Sequence, residues 1–128
     1  MVKQFINPPN VHAPIFPYSH AVRVDKTIYV SAQLPLDLSG NLVAPGDAAR
    51  QAEQVFTNLK NVLEAAGATL NDVVKLTTYL TKYEYRPPVM EMRNHFFGSH
   101  RAPSILAVVR ELAIEGALVE VDGIAVVD

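Results

Sequence analysis

The chain contains no cysteine. This absence excludes disulfides, a thiolate nucleophile and a cysteine-ligated zinc site, and it is compatible with a reducing cytoplasm, where we expect the protein to reside. An excess of basic charge is also absent. The 11 Lys and Arg residues stand against 13 Asp and Glu residues, which gives a formal net charge of −2. Because the two signs are interleaved, nucleic acid is not an expected partner.

Long hydrophobic runs are missing as well. No apolar stretch has the roughly 20 residues that a membrane-spanning helix needs, and the first ten residues lack the apolar core of a signal peptide. We therefore expect no membrane partner. The sequence also lacks the phosphate-loop, dinucleotide-binding and G-x-S-x-G motifs. What is present is a chain of 128 residues, 49% of them apolar, which fits a single domain spanning residues 1–128.

The predicted elements begin after a proline-rich start. Residues 1–20 contain four prolines and predict an irregular lead-in. Alternating apolar residues on both sides of Asp25-Lys26 predict a hairpin with a two-residue turn. Apolar runs rich in Val, Leu and Ile predict three further strands, at 73–81, 104–112 and 118–127.

Two helices are predicted between these strands. Asp47 is a suitable N-cap, apolar residues then recur at helical spacing up to Ala66, and Gly67 is a suitable terminator. A shorter helix begins at Arg86-Pro87-Pro88 and ends at Gly98. The order ββαβαββ predicts an α/β (α+β) domain, in which a mixed sheet carries both helices on one face. The C-terminal strands are apolar on both sides, so we expect self-association to cover the other face.

Two acids interrupt the last strand. Glu120 and Asp122 point to the same face of the strand, and a carboxylate within an apolar run needs a partner or a position at the lip of a pocket. A glycosidase pair or a metal site is one interpretation, and a simple ion pair is another. Arg101 precedes a strand, where it either binds a carboxylate in a bidentate manner or is an exposed strand-end charge.

Several segments carry a resemblance to a known family. They are Pro17-Tyr18, Tyr29-Val-Ser-Ala-Gln-Leu-Pro35, the 54–67 helix, Asp72-Val-Val-Lys-Leu-Thr-Thr77, Phe96-Phe97 and Ala117-Leu-Val-Glu-Val-Asp-Gly-Ile-Ala125. Together they resemble the Rid family (YjgF/YER057c/UK114) over nearly the whole chain. The resemblance implies a chorismate-mutase-like fold, a homotrimer whose sheets form an inner barrel, and ligand clefts between subunits.

The resemblance also implies an activity, namely hydrolysis of reactive imines and enamines to a 2-keto acid and ammonia, with no cofactor and no metal. Glu120 matches the glutamate that positions the attacking water, and Tyr18 matches a cleft tyrosine. The further substrate-binding residues that the resemblance implies are Ser31, Ala32, Ser104 and Leu106, and Arg101 is a further candidate because of its position before a strand.

The sequence departs from the family pattern at three positions. The family's carboxylate-binding arginine falls on Ser104, or on Pro103 after a one-residue shift, a family glycine is Ala32, and an asparagine of the second helix is Met90. Loss of a bidentate arginine weakens carboxylate binding, so we expect weak or absent activity on ordinary amino-acid-derived imines. An imine hydrolase and a metabolite-binding trimer without turnover both remain open as interpretations, whereas an RNA-directed activity finds no support in the charge distribution.

Overall fold

A computed structural model describes residues 2–128. The domain contains two helices, α1 (Ala48–Ala65) and α2 (Arg86–Phe97). It also contains six strands, β1 (Lys3–Ile6), β2 (Ala21–Val24), β3 (Thr27–Gln33), β4 (Val73–Leu80), β5 (Ser104–Val108) and β6 (Val119–Val126). They form one sheet in the order β1-β2-β3-β6-β4-β5. Strands β4 and β5 are parallel and all other neighbours are antiparallel, which confirms the predicted mixed sheet.

The lead-in departs from the prediction, because Lys3–Ile6 forms an edge strand rather than irregular chain. Its register places Phe5 opposite Val22 of β2. Four residues are too few for a recognisable alternation, and Pro8 and Pro9 follow at once. The strand therefore arises from pairing with β2, a tertiary contact that local sequence does not encode.

The predicted hairpin and first helix are confirmed. Asp25, with φ of 54°, and Lys26 connect β2 to β3. The Asp47 side chain accepts a hydrogen bond from the Arg50 backbone N–H at 3.0 Å, as an N-cap does. Gly67 follows the helix with φ of 88°, the left-handed conformation that glycine adopts most easily.

The core lies between the two helices and one face of the sheet. The predicted apolar face of α1 is buried in full, and the Phe56 ring packs at an angle on Phe96 and edge to face on Phe97 of α2. Strand β4 contributes Leu76, Thr78 and Leu80.

The two-residue period of a strand predicts that Val74 lies on the same side as Leu76, yet Val74 is 44% exposed whereas Leu76 is buried. The pairing of β4 with β6 changes register between Val73 and Lys75, so a bulge turns Val73 inward instead. The first C-terminal strand also ends earlier than predicted, at Val108. That residue pairs with Leu80, the last residue of β4, and beyond it the parallel ladder has no partner.

The sheet face opposite the helices is open in the single chain. It carries large apolar side chains that are about half exposed, among them Tyr29 (49%), Ile105 (50%) and Val126 (42%). Strand β5 is therefore not buried on both sides within one chain, contrary to its apolar sequence. Across residues 2–128, neither helix has the length and hydropathy to cross a membrane.

Candidate functional site

A cavity of about 280 Å³ lies where the end of β3 meets the start of β6. Its lining residues are Phe16, Tyr18, Ser31, Ala32, Leu34, Ala113 and Glu120. Four of the residues predicted for the site, Tyr18, Ser31, Ala32 and Glu120, thus come together although they lie in three separate parts of the sequence.

The cavity exists because β3 is irregular at its end. The register of β3 against β6 shifts between Val30 and Gln33, so Ser31 and Ala32 bulge out of the ladder. Instead of pairing with β6, Ser31 holds the lead-in: its Oγ donates to the Ser19 carbonyl at 2.7 Å, and its N–H donates to the His20 carbonyl at 2.8 Å. These two bonds place Tyr18 beside the end of the strand.

Glu120 is the carboxylate of the cavity. Its Oε2 atom is buried and has no hydrogen-bond partner within residues 2–128. Burial raises the pKa of Glu120 above its ordinary value, the charge of Asp122 raises it further, and the backbone N–H of Ala113 partly offsets both effects. A carboxyl group in this state takes up and releases protons closer to neutrality than a solvated one.

Asp122 is differently placed, although it lies on the same face of β6. It accepts a hydrogen bond from the Tyr79 hydroxyl at 3.2 Å. The pKa of Tyr79 is raised by its partial burial and by Asp122. Asp122 thus has a local structural partner, whereas Glu120 has an oxygen directed into a cavity.

Tyr18 supplies the second polar group of the cavity. Burial and the nearby Glu120 charge raise the pKa of its hydroxyl, so Tyr18 stays protonated at neutral pH and is a hydrogen-bond donor. Phe16, whose ring centroid lies 6.4 Å from that of Tyr18, adds an apolar wall. The cavity therefore offers one acid, one neutral donor and apolar surface.

Two histidines are buried beneath the lead-in, and no local sequence pattern predicts their burial. His20 and His12 are 1% and 2% exposed, and their rings meet edge to face at 4.9 Å. A His20 ring nitrogen lies 2.7 Å from the His12 carbonyl, and the other lies 3.3 Å from Gln33 Nε2. Burial lowers the pKa of His20, so the neutral imidazole is favoured.

Three predicted site residues lie elsewhere in the chain. Ser104 begins β5 and faces the helices, where it contacts Arg93 of α2. Leu106 packs partly buried against the core. Arg101 is exposed and donates hydrogen bonds to the Gly98 and His100 carbonyls. None of the three lines the Glu120 cavity of its own chain.

A larger cavity, of about 470 Å³, is formed by the loop between β5 and β6 together with Thr81. It contains Arg110, Glu111 and Glu115, but no side-chain atom there is buried without a partner in the described part of the chain. Size alone does not define a site, so the smaller cavity with the unpartnered Glu120 oxygen is the candidate.

The fold and this cavity define a class of protein: a small α+β domain with helices on one sheet face and a half-buried acid at the lip of a cavity. The family model described as Endoribonuclease L-PSP matches residues 9–127. The chain belongs to this family, also called YjgF or Rid, and the predicted family is confirmed.

Known relatives extend over almost the full chain. A RutC family protein of Pyrococcus abyssi is 35% identical over 125 residues, which is 98% of each chain. The 2-iminobutanoate/2-iminopropanoate deaminase of Mus musculus is 37% identical over 127 residues, covering 98% of this chain and 93% of the relative. RidA from the Antarctic bacterium Psychrobacter sp., whose crystal structure is known, has 34% sequence identity to this chain. Its structure matches with a TM-score of 0.91 and covers 97% of this chain and 99% of that one. The predicted fold class is thereby confirmed.

Proposed function

We propose that the protein hydrolyses a small imine or enamine at the Glu120 cavity and releases ammonia and a carbonyl compound. The observation that carries the proposal is the Glu120 carboxyl group, which has a raised pKa and an unpartnered buried oxygen in a cavity of about 280 Å³. Relatives named 2-iminobutanoate/2-iminopropanoate deaminase support the same reaction class at the level of the family.

The reaction adds water across a C=N bond and then expels the nitrogen. The ionised Glu120 accepts a proton from water while the water oxygen bonds to the imine carbon and the π electrons move to nitrogen. The protonated Glu120 then delivers a proton to the nitrogen of the carbinolamine. The ionised Glu120 next takes the proton of the hydroxyl and passes it to the same nitrogen. The C–N bond then breaks, ammonia leaves with the bonding electrons, and the oxygen forms the C=O bond of the carbonyl product.

The cavity provides what these steps need. A carboxyl group with a raised pKa is a better match to proton transfer near neutrality than a solvated one. The neutral Tyr18 hydroxyl is a donor that orients the imine or the developing hydroxyl. Because Glu120 and water account for every proton transfer, the proposed reaction uses no cofactor and no metal.

The proposal includes a homotrimer in which a second chain covers the cavity. The open sheet face, with Tyr29, Ile105 and Val126 about half exposed, is more apolar surface than a monomer leaves in water. Ser104 and Leu106 do not reach the cavity of their own chain. In the proposed trimer, a neighbouring copy packs on the open sheet face. That copy covers the apolar side chains and completes the wall of the Glu120 cavity.

The test is ammonia release from a panel of imines generated in solution from different amino acids, with Glu120→Gln as the control. The proposal predicts release above the uncatalysed rate in the wild type alone. Binding of the corresponding keto acids without acceleration by the wild type identifies a metabolite-binding trimer instead. A filter-binding assay with RNA at low salt is expected to show no retention, because the 11 Lys and Arg residues are outnumbered by the 13 Asp and Glu residues.

A further inference from the structure

Arg93 of α2 is a half-buried guanidinium that has no carboxylate partner. Within residues 2–128, the one ion pair joins Lys82 to Glu84 on the surface. Burial and the charge of Arg101 lower the pKa of Arg93, since the cation is incompletely solvated and lies near a second cation. A charge in this position is stabilised by an anion, and the chain itself provides none there.

The surroundings hold Arg93 in one orientation. Its Nη2 atom donates to Ser104 Oγ at 2.6 Å and makes a longer contact, 3.4 Å, with the Ala102 carbonyl. Ser104 Oγ is fixed in turn, because it donates to the Ala102 carbonyl at 2.8 Å. The Cζ atom of Arg93 lies 5.7 Å from the centroid of the Phe97 ring. Ser104 therefore positions the guanidinium rather than binding a ligand itself.

The rest of the guanidinium remains available. No residue of the described chain accepts a hydrogen bond from Nε or Nη1 of Arg93, and neither atom is among the buried atoms without a partner. These donors are therefore accessible from outside. Their planar arrangement matches the two oxygens of a carboxylate.

We infer that Arg93 of α2, oriented by Ser104 and Phe97, is the residue of this chain that binds the carboxylate of the substrate. This inference rests on the proposed function for the identity of the reacting group. It replaces the expectation, based on Ser104 alone, that carboxylate binding is lost. The family pattern has an arginine at position 104, where this chain has Ser104. The guanidinium of Arg93, on α2, lies next to Ser104 and occupies that region instead.

The geometry assigns this group to the cavity of a neighbouring copy. Ser104 pairs with Leu76, whereas Glu120 pairs with Tyr79 on the opposite face of the sheet. Two strand spacings and three residues along β4 separate the two backbone positions by roughly 14 Å. A small imine cannot span that distance around a sheet edge, so Arg93 and Glu120 act on one substrate only when they come from different chains.

The experiment measures binding of 2-oxobutanoate, the keto acid that corresponds to 2-iminobutanoate, to the intact wild-type assembly by calorimetry. Arg93→Gln is expected to weaken binding about 10- to 100-fold, the range for loss of a charge-assisted bidentate contact. Ser104→Ala is expected to weaken it a few-fold, because the guanidinium loses its orientation. Arg50→Gln, which removes the same charge on the exposed side of α1, is expected to leave the affinity unchanged.

A parallel titration with 2-oxobutanamide tests whether the carboxylate is what binds. The inference is overturned if the amide binds as tightly as the acid, if the wild type binds neither, or if Arg93→Gln retains full affinity. If Arg93→Gln fails to fold, Arg93→Lys serves in its place. Lysine keeps the positive charge but lacks the planar pair of N–H donors, so this variant is expected to bind several-fold more weakly. Unchanged binding by Glu120→Gln, together with absent turnover in the wild type, would refute the proposed hydrolysis while leaving this inference standing.

Discussion

Replacing Glu120 by Gln is the most informative single change in this protein. The side chain keeps its size and its ability to accept a hydrogen bond from the Ala113 backbone, but it no longer titrates. Because Glu120 lies at a cavity with one oxygen unpartnered, no structural hydrogen bond of the described chain depends on its charge. We therefore expect the substitution to remove proton transfer and to leave the fold intact.

The expected loss follows from the role assigned to the carboxyl group. Positioned general acid–base groups accelerate reactions by about 10²- to 10⁴-fold, which corresponds to about 3 to 5 kcal/mol of activation free energy. Glu120→Gln should lower kcat for ammonia release by this factor with little change in KM. The assay is continuous detection of ammonia from an imine produced by a coupled enzyme in excess.

The pH dependence gives a second, independent readout. Since burial raises the pKa of Glu120 above the ordinary value of 4.5, activity that needs the ionised form should rise with pH over a range displaced upward from that value. The profile of Glu120→Gln should lack this rise. Asp122→Asn, on the same strand face, is the matched control and should retain the rise at lower pH, because the charge of Asp122 contributes to the raised pKa of Glu120.

The raised pKa of Glu120 also determines how the stability of the variant relative to the wild type changes with pH. A raised folded-state pKa means that the folded protein favours neutral Glu120, so stability from this group is fully present below the unfolded pKa and is lost as pH rises through the folded pKa. The melting temperature of Glu120→Gln should therefore equal that of the wild type near pH 4 and match or exceed it near pH 8. Full turnover by the variant, or dissociation of its assembly, would refute the reasoning, because Glu120 would then be structural.

Three further predictions follow from other parts of the structure. Asp122→Asn should lower the free energy of unfolding by about 1 kcal/mol, since it weakens the bond from Tyr79, and should reduce turnover less than twofold; a turnover loss as large as that of Glu120→Gln would contradict the assignment. Because burial lowers the pKa of His20, the folded state binds fewer protons than the unfolded state, so the free energy of unfolding should fall as pH drops below about 6.5; denaturant titrations between pH 5 and 8 measure this slope, and His20→Gln should flatten it. Light scattering at micromolar concentration should give the mass of a trimer, and Tyr29→Glu on the open sheet face should reduce that mass to the mass of a monomer. In the same assembly, co-refolding of Glu120→Gln chains with Arg93→Gln chains should restore part of the activity only if each site is shared between two chains.

Local sequence determined the elements whose signals lie within a few residues of each other. The Asp47 cap, the apolar face of α1 and Gly67 fixed the first helix, and the Asp25-Lys26 turn fixed the hairpin. The two-residue period of β6 placed Glu120 and Asp122 on one face. These features follow from 3.6- and 2-residue periodicities, which need no knowledge of the remainder of the chain.

Tertiary structure alone decided the features that depend on distant pairing. Lys3–Ile6 is a strand because β2 offers it an edge, and Val74 faces outward because β4 bulges against β6. His12 and His20 are buried together because a serine on the bulge of β3 holds the lead-in. The position of Arg93 is the most consequential case, because its contact with Ser104 joins α2 to β5 across 11 residues of chain. Such contacts are set by how a helix packs on a sheet, and the sequence of either segment does not contain that geometry.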